Sequence, residues 1–234
     1  MTKTFYIQTA NEQPIHDFTF HLLEAIRFHA WLNTDPDHPS YTFRKSDTSA
    51  FQKGMIPVGS LEFVEEHWGA PLIPDFIPHP LRHNKFLKRR IRFLSSGDLT
   101  EEVLPAFVKR NDMFKSSPMI LSSLTPLEEG EYLISEVVTI QSEWRAFVFH
   151  NRLVGLHPYS GDPTVFPDAP LIHRMIEDYD HSPLCYTLDV GVNDDGTFLI
   201  ESHPFISCGL YGFQNYKILP QMFVAGYLGG TKKT

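Results

Sequence analysis

The sequence has little cysteine, no long apolar run and fewer basic than acidic residues. Cys185 and Cys208 are the only cysteines in 234 residues; they are too few for a disulfide framework and lack the spacing of a metal site. No run of about 18 apolar residues occurs, and the first residues lack a signal-peptide pattern, so we expect a cytoplasmic protein without membrane association. The net charge of −8 argues against a nucleic-acid-binding protein.

Aromatic residues and proline are abundant. The 19 Phe and 18 Pro favour short strands and shaped loops over a helix bundle. Apolar content of 42% and charged content of 21% are typical of a globular protein rather than a disordered one. A chain of this length is expected to form one large domain or two small lobes.

The residue patterns predict an α+β fold with a strand-rich C-terminal half. Asp17 is a candidate N-cap for the first helix; Ser60 and Gly69 are candidate caps of the second. The proline-rich residues 70–84 are predicted to connect an N-terminal lobe to the rest, while the DPDHPS cluster at 35–40 breaks the chain and 229–234 form a tail. Helices are predicted at 17–32, 60–69, 169–179 and 216–227. Strands are predicted at residues 5–7 and at AFVKR, MILSSL, EYLISEVV, EWRAFVFH, RLVGLHP, YTLDVGV and TFLIES.

A carboxylate-bearing hairpin is the most informative local feature. Asp194-Asp195-Gly196 is predicted to be a three-residue loop with Gly196 in the left-handed conformation. This register places Asp189 directly opposite Glu201. The apolar face is predicted to carry Leu188, Val190, Val192, Phe198 and Ile200, and the other face Thr187, Asp189, Gly191, Glu201 and His203.

Two like charges opposite each other destabilise a sheet unless a cation bridges them. Oxygen ligands of this kind suit Mg²⁺, which also uses phosphate oxygens and water. Two alternatives remain open from the residues alone. The carboxylates of Asp189 and Glu201 could be solvated on an exposed face, or a two-residue loop could shift the register and separate them.

Cationic residues precede this hairpin. Lys109 ends a predicted strand, Lys115 follows it, and Glu143 and Arg145 share one face of a later strand. Glu136 stands before two valines whose backbone could contact an adenine. Each feature alone also fits a surface lysine, a cross-strand ion pair or an edge glutamate, but their order matches what phosphoryl transfer needs. No Walker motif or kinase glycine-rich loop is present.

Five segments together resemble the ATP-grasp superfamily, above all its clade named for one arginine and two lysines, known mainly from bacteria and phages. They are PVGSLEFV, FVKRNDMFK, ISEVVTIQSEWRAFVF, GDPTVFPD and YTLDVGVNDDGTFLIES followed by GLYGF, within residues 55–213. The resemblance implies an α/β lobe at 1–84, a small lid subdomain at 85–140 and a C-terminal subdomain at 141–234, the last two α+β and clasping ATP.

The resemblance further implies an ATP-dependent carboxylate–amine ligase that forms an acylphosphate and releases ADP and phosphate. The carboxylate would belong to a small molecule or a peptide. Implied roles are phosphate binding for Lys109 and Lys115, and stabilisation of the transferring phosphoryl group for Arg145. The implied ATP site also includes Glu136, Val137, Val138 and Glu143. Asp189 and Glu201 would hold Mg²⁺, or Mn²⁺, with His203 as a third ligand.

The sequence departs from the family pattern at three places. His203 replaces an asparagine, Arg110 replaces a proline, and the loop at 116–118 lacks a glycine. His203 and Pro204 therefore motivate a second hypothesis, an ATP-binding module that has lost turnover and acts by nucleotide-gated binding. A third, a metal hydrolase using His79 and His83, has no HExxH motif to support it.

The acceptor substrate is the least defined part of the prediction. His157, Tyr159 and Asp162 are candidate substrate contacts. The basic run Lys88–Arg92 would suit an anionic substrate if it lies near the cleft, and is otherwise expected to be a solvated edge strand.

Overall fold

The computed structural model describes residues 2–32 and 39–230 and contains both helices and strands. The strands are β1 (Lys3–Ile7), β2 (Thr9–Ala10), β3 (Gln13–Pro14), β4 (Tyr41–Lys45), β5 (Ile56–Val58), β6 (Ile91–Ser95), β7 (Ala106–Arg110), β8 (Met119–Leu121), β9 (Glu131–Glu136), β10 (Ser142–Phe149), β11 (Arg152–Gly161), β12 (Cys185–Asn193) and β13 (Gly196–Pro204). The helices are α1 (Asp17–Leu32), α2 (Leu61–Trp68), α3 (Asn84–Leu87), α4 (Ala169–Asp178) and α5 (Leu219–Gly230). Most of the predicted break at 35–40 and the tail residues 231–234 lie outside the described residues.

The chain divides into two compact units. One comprises residues 1–71, 183–186 and 204–234, and the other residues 72–182 and 187–203. Residues Cys185 and Tyr186 of β12 and Pro204 of β13 belong to the first unit. The remaining described residues of these two strands within 187–203 belong to the second. The finer division at residues 84 and 140 stays a prediction.

The first unit is built on a parallel sheet in the order β4-β1-β5. Parallel strands need long crossovers, and α1 supplies the one between β1 and β4. Helix α1 packs against β4 and α5, so that Leu22 and Ile26 join Phe5 and Ile7 in the core. The predicted span of α1 is confirmed, but Asp17 is the first helical residue rather than the N-cap.

Helix α2 forms where its capping residues predict it. The Ser60 side chain accepts a hydrogen bond from the Phe63 backbone N–H at 3.2 Å, and Gly69 takes the left-handed conformation at φ 80°. These two residues satisfy backbone groups that the helix leaves unpaired at its ends.

The predicted last helix starts later than expected, at Leu219, with Pro220 in its first turn, where proline is tolerated.

The second unit contains two four-stranded sheets. The first, in the order β6-β9-β7-β8, is antiparallel. Its core contains Ala106 and Val108, which are fully buried alternate residues of β7. Because side chains alternate along a strand, Lys109 lies on the opposite face from this core. The edge-strand prediction for the basic run is confirmed for its last two residues, 91 and 92, which begin β6.

The second sheet has the order β11-β10-β12-β13 and carries the predicted carboxylate hairpin. Gly196 is left-handed at φ 92°, as predicted, but it is the first residue of β13, so only Asp194 and Asp195 lie between the two strands and the predicted three-residue loop was wrong. The alternative of a solvated hairpin face does not hold for β12, because every residue of β12 from Cys185 to Val192 is buried. The placement of Phe198 on the face opposite Gly191 was also wrong: the Phe198 ring lies within 2.6 Å of where a residue-191 Cβ would be, in space that glycine leaves open.

All seven strands predicted after residue 105 are present, although β8 is shorter than its predicted segment. The proline-rich connection contains no long helix, only the 3₁₀ turn His79–Leu81 and the start of α3. Among the described residues, no helix combines the length and apolar character needed to cross a bilayer.

Candidate active site

A buried ion pair joins the arginine of β10 to the first carboxylate of the hairpin. Arg145 donates from Nε to Asp189 Oδ1 at 2.8 Å and from its terminal nitrogen to Asp189 Oδ2 at 2.7 Å. The side chains are 9% and 3% exposed. A two-point contact fixes the guanidinium plane as well as its position. The structure thus rejects the alternative of a solvated Asp189.

A second, partly buried pair lies beside the other carboxylate. Lys109 of β7 donates to Glu201 Oε2, and His203 Nε2 lies 2.8 Å from Glu201 Oε1. The Lys109 Nζ also lies 3.9 Å from the centroid of the Phe76 ring, a cation–π contact. The two strands that carry Lys109 and the hairpin carboxylate therefore meet at Glu201.

Burial and polar contacts act in opposite directions on the pKa of Glu201, and the net effect favours the charged carboxylate. Burial raises the pKa, but the His203 hydrogen bond and the charges of His203 and Lys109 outweigh it and lower the pKa from 4.5 to about 2. A depressed carboxyl pKa stabilises the folded state above the unfolded pKa, and this contribution is lost as the pH falls through the folded value.

The lowered pKa of Glu201 predicts that the folded protein loses stability in acid. Between about pH 4.5 and pH 2 the free energy of unfolding is expected to lose on the order of 3 kcal/mol through Glu201. Urea unfolding of the wild type and of Glu201→Gln, followed at steps of pH across this window, measures it. The variant should show a shallower decline; parallel declines in the two proteins would contradict the assignment.

The same hairpin residues form a donor set for a metal ion. One ligand atom each from Asp189, Glu201 and His203 can be chosen so that all lie within 4.8 Å of one another. Two carboxylates and one imidazole fit a divalent cation by the chemistry of their atoms. This convergence agrees with the expectation that Asp189 and Glu201 lie close together, and their direct pairing in the ladder stays a prediction.

A bulge turns a tyrosine toward Glu143. In the β10–β11 ladder, Glu143 pairs with Ser160 but Trp144 pairs with Pro158, so Tyr159 is the extra residue. The Tyr159 hydroxyl donates to Glu143 Oε2 at 2.8 Å. Burial, together with the charges of Asp189 and Glu143, raises the pKa of Tyr159, so that it keeps the proton it donates.

Arg89 is a partly buried residue near the site, and sequence reasoning placed it only within a basic run. Its guanidinium donates to the carbonyl oxygens of Leu199 at 2.7 Å and Leu87 at 3.1 Å. Burial lowers the pKa of Arg89 to about 10, against the attraction of Glu201, so the group remains charged at neutral pH. Arg89 thereby holds the segment of β13 that leads into Glu201.

The remaining predicted residues lie near the ends of β7, β9 and β11. Glu136 is engaged by Arg90, through Nε at 2.5 Å and the backbone N–H at 2.9 Å. Val137 is exposed and Val138 half-buried just beyond β9. Lys115 is exposed, in the left-handed conformation at φ 57°. Asp162 accepts two hydrogen bonds from Thr164, at 2.8 Å and 2.7 Å, which closes a turn.

His157 of β11 pairs directly with Arg145 in the ladder and is half-buried, and burial lowers its pKa. The basic run has local partners in the structure: Lys88 donates to the Asp195 carbonyl, and Arg90 pairs with Glu136. These contacts give the run a structural role, and its contact with a substrate stays a prediction.

The arginine, the lysine and the carboxylate pair are brought together within a segment that matches a family model. Residues 86–220, more than half of the chain, match the ATP-grasp domain of family 2 in the clade named for one arginine and two lysines. The chain belongs to this ATP-grasp family. The expected superfamily, clade and α+β ATP-grasp fold are thereby confirmed. No curated protein sequence matches the chain.

Solved structures share the ATP-grasp fold over nearly all of the chain. The D-alanine–D-alanine ligase of Bacillus anthracis complexed with ATP aligns with a TM-score of 0.54 at 12% identity, covering 97% of each chain. The ATP-grasp ligase PsnB, complexed with a phosphomimetic precursor variant, Mg and ADP, aligns at 0.54 and 11% identity, covering 95% of this chain and 98% of PsnB. The N5-carboxyaminoimidazole synthetase of Staphylococcus aureus aligns at 0.52 and 10% identity, covering 96% and 77%.

Proposed function

We propose that this ATP-grasp domain is an ATP-dependent ligase that joins a carboxylate to an amine through an acylphosphate. The convergence of Arg145 and Lys109 on the carboxylates of Asp189 and Glu201 carries the proposal. The fold is shared with ligases whose structures are described as complexes with ATP, or with Mg and ADP. These support nucleotide and metal binding by the matching site.

The reaction would proceed in two displacements. A substrate carboxylate oxygen attacks the γ-phosphorus, the bond to the ADP oxygen breaks, and an acylphosphate forms. An amine nitrogen then attacks the acyl carbon, phosphate leaves, and the nitrogen loses a proton. Because charge develops on the transferring phosphoryl group, preorganised cationic donors at that position accelerate the first step. We assign this role to Arg145 and phosphate binding to Lys109 and Lys115.

The ion pairs also indicate how the site would receive its ligands. Lys109 and Arg145 already lie beside the carboxylates, so they can move their hydrogen bonds to phosphate oxygens over short distances. Asp189, Glu201 and His203 would then hold a divalent cation, which neutralises phosphate charge when bound. We place Glu136, Val137, Val138 and Glu143 in the surrounding nucleotide site.

Oxygen-isotope transfer tests the proposal. The protein is incubated with ATP, a divalent cation and a library of ¹⁸O-carboxylates and amines, while ADP release and the isotope content of phosphate are followed. An acylphosphate route transfers one carboxylate oxygen to the released phosphate. Substrate-dependent ADP release with ¹⁸O in the phosphate is the expected result. Release of ADP with unlabelled phosphate would exclude this intermediate.

Hydroxylamine separates the ligase from the binding-module alternative. It replaces an unidentified amine and captures an acylphosphate as a hydroxamate, so only the carboxylate must be found. The matched controls are Asp189→Asn and Glu201→Gln, which retain side-chain size but lose charge; we expect both to weaken metal-dependent nucleotide binding. Tight ATP binding without hydroxamate for any carboxylate in the library would favour the nucleotide-gated module.

A further inference from the structure

The third residue of the donor set distinguishes this centre from an all-oxygen site. His203 Nε2 lies 2.8 Å from Glu201 Oε1, and His203 offers one ligand atom within 4.8 Å of ligand atoms of Asp189 and Glu201. Its side chain is 19% exposed, similar to the 18% of Glu201. The imidazole nitrogen therefore lies inside the cluster of possible ligands.

Two aromatic rings hold the imidazole in this orientation. Phe76 contacts it edge-to-face with the centroids 5.4 Å apart, and Phe114 lies at 6.0 Å. Phe76 is 1% exposed, and its carbonyl accepts a hydrogen bond from Ser202 N–H at 2.7 Å. Ser202 separates Glu201 from His203, so the Phe76 segment fixes the strand and the ring of the third ligand together. A ring fixed by packing is a preorganised ligand.

Nitrogen ligation changes which cation binds best. Mg²⁺ prefers oxygen ligands and gives up its water reluctantly. First-row transition cations accept imidazole together with carboxylate, and Mn²⁺ is the one among them that most favours carboxylates. We propose that the centre of Asp189, Glu201 and His203 selects Mn²⁺ over Mg²⁺, and that His203 causes the preference. This inference rests on the metal-dependent function proposed above.

Direct metal binding by the whole chain tests this selectivity without turnover. Mn²⁺ is titrated and followed by electron paramagnetic resonance, with Mg²⁺ as competitor, in the wild type and in His203→Asn. The wild type should prefer Mn²⁺, and the variant should lose about 10- to 100-fold in Mn²⁺ affinity while binding Mg²⁺ no more weakly. His150→Asn is the matched control, because His150 is exposed and its left-handed backbone suits asparagine.

A spectroscopic signature separates ligation from an effect on folding. Spin-echo modulation from an imidazole nitrogen bound to Mn²⁺ should be present in the wild type and in His150→Asn and absent in His203→Asn. The titration is repeated with ADP present. An unchanged Mn²⁺-to-Mg²⁺ affinity ratio in His203→Asn, or no bound Mn²⁺ in either condition, would overturn the assignment. Failure of ligase turnover would leave these binding results intact and would instead count against the proposed reaction.

Discussion

Replacing Arg145 with methionine is expected to lower the free energy of unfolding by about 3–5 kcal/mol, because it leaves Asp189 charged, buried and unpaired. The same change should reduce substrate-dependent ADP release at least about 100-fold, since a preorganised cation is lost where phosphoryl charge develops. Urea unfolding measures the first effect and single-turnover ADP formation the second. Normal turnover in the variant would contradict the catalytic role of Arg145.

A double variant separates the two effects. Arg145→Met combined with Asp189→Leu replaces both partners by apolar side chains, and such replacements of buried pairs are often neutral or stabilising. The double variant should therefore regain much of the lost stability while ADP release stays low. Arg152→Met provides the control, because Arg152 is an exposed arginine on the neighbouring strand β11; its stability should change by less than about 0.5 kcal/mol. Persistent instability of the double variant would show that the unpaired carboxylate is not the cause.

Replacing Lys109 with methionine should weaken ATP binding about 10- to 100-fold in the presence of a divalent cation. The estimate follows from the loss of a charged hydrogen bond to phosphate, worth about 1.5–3 kcal/mol. Isothermal titration with ATP and with ADP measures the change. Lys85→Met is the matched control: Lys85 also forms an ion pair, with Asp178 at 2.5 Å, but outside the carboxylate cluster, and ATP affinity should remain within about twofold.

Glu201→Gln should change nucleotide affinity in opposite directions with and without the cation. Without it, Lys109 is released from its ion pair and ATP should bind more tightly than to the wild type. With it, affinity should fall below that of the wild type, because one carboxylate ligand is lost. The same direction of change in both conditions would show that Lys109 and the metal ligands do not exchange partners as proposed.

Local sequence signals predicted the elements well because the signals acted within a few residues. The Ser60 and Gly69 caps, the alternation in β7 and the left-handed Gly196 depend on adjacent backbone geometry. Local signals left a solvated hairpin face open as an alternative, and β12 excludes it for a non-local reason. Thr187 and Asp189 are buried although they alternate with apolar residues, because tertiary packing covers both faces of β12.

The candidate site could be predicted in part. The closeness of Asp189 and Glu201 was expected from the predicted hairpin, and Lys109 and Arg145 were expected from the resemblance to the ATP-grasp clade. The ion-pair partners of Lys109 and Arg145 could not be predicted in the same way. Lys109 and Glu201, for example, are 92 positions apart, and an ion pair at that separation leaves no local pattern in the sequence. Phe76, under both Lys109 and His203, lies in a proline-rich segment that gave no signal for a site.

The packing of Phe198 over Gly191 has a consequence for how this family can vary. Gly191 does not have a left-handed backbone, so the constraint on it is the space taken by the ring. A relative that acquires a side chain at position 191 must therefore acquire a smaller residue at position 198. Conversely, a smaller residue at position 198 leaves room for a side chain at position 191. Aligned relatives should show these two positions changing together. Such covariation would record packing beside Asp189 rather than a shared part in binding or catalysis.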